Sequence, residues 1–217
     1  MNKYFARCFK RLLPLGLAAL AAGVLLVPAV ADATPYVVKL VQQGSNVVGI
    51  GSGAIDLTGL TPMSSTGVVS ASDGVWPSVA DVSIGQIGAP LTAYSGITGP
   101  SSFGSGGAFF VASGNGDYVE LFGLSGSYPC CGLTGPLISV QADYASGTAI
   151  SNNMILANQS LASLGVTPGT YVWTWGRGAE QSFTLDIVAT PEPTALGIFG
   201  FGVLLIGAFV GVRRRVV

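Results

Sequence analysis

The sequence predicts an all-β fold, a β-sandwich or jelly-roll-like domain, with a signal helix before it and a transmembrane helix after it. Three observations carry the prediction. Short apolar or alternating runs recur through residues 34–190, separated by Gly, Pro and Ser, which is how a chain of many strands reads. Sustained amphipathic helical spacing is scarce over the same residues. The run Ser182–Val188 alternates cleanly, with Phe183, Leu185 and Ile187 on one face of an extended chain and Thr184 and Asp186 on the other.

In chain order, residues 1–33 read as a signal peptide. Lys3, Arg7, Lys10 and Arg11 make a basic start, and Leu12 to Val27 is apolar. Ala29-Val30-Ala31 and Ala31-Asp32-Ala33 are both small-x-small cleavage sites, with cutting expected after Ala33 and Ala31 the alternative. An uncleaved first transmembrane helix is the competing reading. Cys8 precedes the apolar run and leaves with the peptide.

Residues 34–190 form the exported β-rich domain, long enough for one domain with its own core. The expected strands are Tyr36–Val41, Val47–Leu57, Val68–Ser72, Val79–Ile84, Ala108–Ala112, Tyr118–Phe122, Leu137–Asp143, Tyr171–Trp175 and Ser182–Val188. Ser151–Leu164 is ambiguous and has room for a helical turn. Gly96–Gly107 reads as a long loop. In Val166-Thr167-Pro168-Gly169-Thr170-Tyr171, Pro then Gly suits the centre of a type II turn. A tyrosine opening the next strand resembles the tyrosine corner of immunoglobulin-like sandwiches.

Residues 191–217 set the handling of the chain. Pro191-Glu192-Pro193 resists helix and marks an extended link. Residues 194–212 carry no charge and, as a helix, span roughly 28 Å, close to one hydrocarbon core. Arg213, Arg214 and Arg215 follow at once, and the positive-inside rule puts them in the cytoplasm. A plain single-span anchor accounts for all of these residues. Their order and spacing also resemble the PEP-CTERM sorting signal of exported bacterial proteins. That resemblance implies an exosortase as partner, cleavage near Pro191-Glu192-Pro193, and delivery to the cell surface or the extracellular matrix, with a link to exopolysaccharide or biofilm. Residues Ser160–Gly165, Trp173–Gly176 and Ser182–Leu185 are similar to a recurring ending of uncharacterised PEP-CTERM proteins, a likeness that brings no activity with it.

Charge and chemistry narrow the function further. Between Thr34 and Thr190 only Lys39 and Arg177 are basic, against eight acidic residues, a net charge near −6. Phosphate binding needs clustered Lys or Arg, so a nucleic-acid partner is not expected. The chain contains no histidine. That removes the usual general base, Ser–His triads and most zinc sites. Neither a metal nor a cofactor is expected. Asp117 and Glu120 are the carboxylate pair a glycoside hydrolase reading would use, against surface charge before a strand. Ser113-Gly114-Asn115-Gly116-Asp117 is oxygen-rich but lacks the regular ligand spacing of a calcium loop, and a tight turn is expected.

Tyr171, Trp173 and Trp175 fall on one face of a strand. Exposed, Trp173 and Trp175 would stack sugar rings; buried, they are core, the expected reading. Cys130 and Cys131 are adjacent, with α-carbons about 3.8 Å apart, below the usual disulfide range. An oxidising compartment still favours pairing. A vicinal disulfide is the expected state, with a link between chains and two free thiols as alternatives. The expectation overall is an exported structural or adhesive protein rather than an enzyme. The alternative is an envelope carbohydrate-binding module or glycoside hydrolase.

Overall fold

The computed structural model describes residues 34–63, 72–111, 113–127 and 134–189. The signal peptide, the segment 191–217, the Cys130–Cys131 pair and most of the expected strand Val68–Ser72 lie outside them. Among the described residues no helix is long and apolar enough to cross a membrane.

The described chain is all-β. Its strands are β1 (Tyr36–Gln43), β2 (Asn46–Ala54), β3 (Thr61–Pro62), β4 (Asp73–Trp76), β5 (Asp81–Ile84), β6 (Leu91–Ser95) and β7 (Phe109–Val111). After these come β8 (Gly114–Gly116), β9 (Val119–Ser127), β10 (Thr134–Gln141), β11 (Ala149–Leu156), β12 (Gly169–Thr174) and β13 (Ser182–Val188). One sheet has the order β12-β13-β1-β2-β11-β8, the other β3-β6-β10-β9-β5-β4-β7. Neighbours are antiparallel except β1 and β13, which run parallel, Tyr36 beside Phe183 through to Val41 beside Val188.

The two sheets share one apolar core, an arrangement consistent with a β-sandwich. Tyr36, Val38 and Leu40 of β1, Met154 and Leu156 of β11, and Phe183, Leu185 and Ile187 of β13 enter it from the first sheet. Val82 and Ile84 of β5, Leu121 of β9, and Ile138 and Val140 of β10 enter it from the second. The first sheet keeps one face open, with Lys39, Ile50, Asn153 and Ile155 exposed. The second is covered on part of its outer face as well. Ala93, Phe122 and Leu137 form a smaller outer cluster, with Met63 and Val79 against it. This is why β5 is buried along its whole length, Asp81 and Ser83 included.

Several expected elements change. Val47–Leu57 stops being strand at Ala54, where Gly53 takes a φ of +125°. The start of Val79–Ile84 is the end of a 3-10 turn, Pro77–Val79, and the strand begins at Asp81. Leu137–Asp143 starts earlier, at Thr134, and ends at Gln141. Tyr118–Phe122 is displaced to Val119–Ser127. Much of Ser151–Leu164 is strand rather than helix: β11 runs to Leu156 with strict alternation of buried and exposed residues. A single helical turn follows, Leu164 N–H donating to the Ser160 carbonyl at 3.0 Å. Gly96–Gly107 is loop, tied down by isolated bridges at Thr98–Thr174 and Gly104–Val166.

Candidate functional site

The aromatic strand comes first. Trp173 of β12 is fully buried. Its indole N–H donates to the Pro100 carbonyl at 2.8 Å, and its ring meets Phe183 edge-on at 5.8 Å. A side chain on Gly123 would come within 2.9 Å of Trp173 Nε1, so the missing Cβ there is what lets the indole approach β9 so closely. No face of Trp173 is left for a sugar ring, so it is core as expected and the stacking alternative has no Trp173 surface to use. Trp175 is half-buried against the core, and its N–H donates to the Asp56 carbonyl at 2.7 Å.

Tyr171 makes the corner bond that the sequence motif resembles, its hydroxyl donating to the Thr167 carbonyl at 3.0 Å. The turn beneath it is not type II. Gly169 has a φ of +152° and already opens β12, whereas a type II turn holds its glycine near +80°.

Three polar groups stand out that sequence reading passed over. Asp56 ties the loop after β2 to the β12–β13 connection. Its Oδ1 accepts from Thr58 N–H at 2.9 Å and Ser146 Oγ at 3.2 Å, and its Oδ2 accepts from Gln181 Nε2 at 3.1 Å. The Thr58 N–H, aided by the other donors, holds this carboxyl below the usual carboxylate range. An Asp two residues ahead of Thr58 is an Asx-turn signal that was legible.

Asn152 of β11 points into the core. Its Oδ1 accepts from the Tyr36 hydroxyl at 2.8 Å, and its amide donates to the carbonyls of Ile84 and Asp117. It therefore joins β1 and β11 of one sheet to the end of β5 in the other. Burial drives the Tyr36 hydroxyl pKa well up, so it stays a neutral donor. Inward Gly51 beside this pair has no side chain, and a Cβ there would collide with both Asn152 Oδ1 and the Tyr36 hydroxyl.

Asp73 opens β4. It is fully buried, and neither carboxylate oxygen has a hydrogen-bond partner among the described residues. Desolvation pushes its pKa up to about 7.

The remaining sequence candidates are not gathered into one site. Asp117 is exposed, and its backbone carbonyl is what meets Asn152. Glu120 lies on β9 with Ser83 and Ser139 as cross-strand neighbours. Gly114–Gly116 is not a tight turn but the edge strand β8, paired with β11. Among the described residues no three His, Cys, Asp or Glu side chains come together as a metal site would require. On the open face of the first sheet, Val188, Val41, Val48 and Ile155 are register neighbours across four strands. Val188 and Ile155 are 40% and 43% exposed. Comparison with family models, with curated proteins and with solved structures returns no match.

Proposed function

We propose that this chain is an exported bacterial envelope or extracellular-matrix protein with a structural or adhesive role, sorted through a PEP-CTERM signal. The observation that carries the reading is Pro191-Glu192-Pro193 followed by an uncharged apolar run and Arg213-Arg214-Arg215. An exosortase is the partner this implies, and the membrane is where the two meet. The N-terminal segment is the export signal, the apolar run a single-pass helix with its C-terminus in the cytoplasm. Processing then releases the domain to the surface or the matrix, where exopolysaccharide is the expected neighbour.

The domain suits that role. We read it as a β-sandwich closed by a tyrosine corner rather than a jelly roll, a compact unit whose low charge suits a polymer-rich envelope. Trp173, the aromatic that a sugar-stacking alternative would need, is inside the core, which favours the structural reading over the carbohydrate-binding or hydrolytic one. The test is the mass of the mature protein from envelope and medium fractions of cells that carry the exosortase. A species starting near Thr34 and ending near Pro191 supports sorting. A species retaining Arg213–Arg215 means a standing anchor and refutes it.

A further inference from the structure

Asp73 is a buried acid with no part in export or sorting. It lies at the end of β4, next to Val111 of the edge strand β7. A side chain on Gly114 would collide with both Asp73 Oδ2 and the Gly85 carbonyl oxygen. These two oxygens, from the second sheet, therefore converge on the α-carbon of Gly114, the first residue of β8 in the other sheet. Two acceptor oxygens crowded onto one carbon, away from water, repel each other unless a proton sits on the carboxyl. An ionised carboxylate with no donor is among the costliest groups to bury.

Among the described residues, the groups around it offer no countercharge. On the β8–β9 side stand Asp117, which is exposed, and Tyr118 and Glu120. On β5 stands Asp81. On β11 stands Asn152, which is uncharged. The two basic residues of the described chain lie elsewhere, Lys39 on the open face of the first sheet and Arg177 in the β12–β13 connection. The strand above Asp73 is also short. β8 is three residues at the sheet edge, Gly114-Asn115-Gly116, paired with β11 and tied on its other side by Gln86 N–H donating to the Gly116 carbonyl.

We propose that Asp73 is an acid-held latch: its neutral carboxyl lets β8 close over the seam between the sheets, and ionisation lifts β8 away. The proton sits on the carboxyl in the closed form and passes to solvent on opening. The carboxyl titrates near 7 when closed and near 3.9 when exposed. The closed state therefore holds the extra proton across this window, and closure is strongest below about 4. The opening constant rises roughly tenfold per pH unit from there to about 7 and then levels off.

Amide hydrogen exchange on the full-length chain in detergent, corrected for the intrinsic pH dependence of exchange, tests this. The reporters are Ile155 N–H, which donates to the Ser113 carbonyl, and Gln86 N–H, which donates to the Gly116 carbonyl. Both should lose about tenfold of protection per pH unit between about 4 and 7, while Leu40 in the centre of the first sheet should not. Asp73→Asn, an uncharged isostere, should abolish the slope. A wild-type protein with no local slope, or a slope surviving in Asp73→Asn, overturns the latch. If Asp73→Asn fails to fold, the contrast between Ile155, Gln86 and Leu40 in the wild type decides alone. If millimolar calcium restores protection at high pH in the wild type, Asp73 is a cation ligand and the latch is overturned.

Discussion

Tyr36→Phe removes one oxygen from the centre of the core and nothing else. In the wild type the Tyr36 hydroxyl is the donor to Asn152 Oδ1, at 2.8 Å between fully buried groups. Phenylalanine retains the ring contact with Phe183, whose centroid lies 5.4 Å away, so packing is preserved. What changes is that Asn152 Oδ1 becomes a buried acceptor without a donor. Such a group costs about 1–3 kcal/mol. For a domain of this size that converts to a fall in Tm of roughly 2–4 °C per kcal/mol. Thermal melts of the full-length chain in detergent, followed by near-ultraviolet circular dichroism, give the shift. Because burial holds the tyrosine neutral, the loss should be the same at pH 6 and pH 9. A second variant, Asn152→Ala, alone and combined with Tyr36→Phe, isolates the pair, and a coupling of at least about 0.5 kcal/mol is expected. A Tyr36→Phe variant as stable as the wild type, with no coupling, would refute the claim that this bond joins the strands.

Trp173→Ala should destabilise by about 3–5 kcal/mol, the range for emptying a buried tryptophan site, measured by urea unfolding; unchanged stability would mean the indole is not core. Asp56→Asn should flatten the acid limb of the stability–pH curve. The Asp56 carboxyl is held below its unfolded value, so its contribution is present above about 4 and lost as pH falls through the lower, folded value. Melts from pH 2 to 6 check this, and parallel curves for variant and wild type would sink it.

What was legible followed from local pattern. Ser182–Val188 alternates in sequence and in burial alike, because β13 lies between β12 and β1 with one face on the core. Tyr36–Val41 was legible for the same reason. β11 was missed although its alternation is stricter still: one inward position is Asn152, and a polar residue there hides a period of two until its partners, Tyr36 and two carbonyls, are known. β4 and β8 were not expected as strands: β4 opens on Asp-Gly, and β8, Gly-Asn-Gly, lies in the expected tight turn. They become strands because neighbours supply their hydrogen bonds: the adjacent β5 and the distant β7 for β4, and the distant β11 for β8. Trp173 was ambiguous by residue type, since an alternating aromatic strand looks the same whether its face meets water or core. Asp73 carried no local signal at all. The residue packed against its carboxyl, Gly114, lies far along the chain.

The parallel pairing of β1 with β13 has a mechanical consequence. The chain enters β1 at the end where Tyr36 meets Phe183 and leaves β13 at the opposite end, where Val188 lies beside Val41. A pull between residues 34 and 189 therefore loads the ladder along its length, so its bonds share the force in shear. An antiparallel pair pulled from the same end would instead peel open one bond at a time. Rupture under force is governed by the unfolding barrier rather than by equilibrium stability. A domain held by its tail and tugged at its head would resist better than its equilibrium stability alone implies.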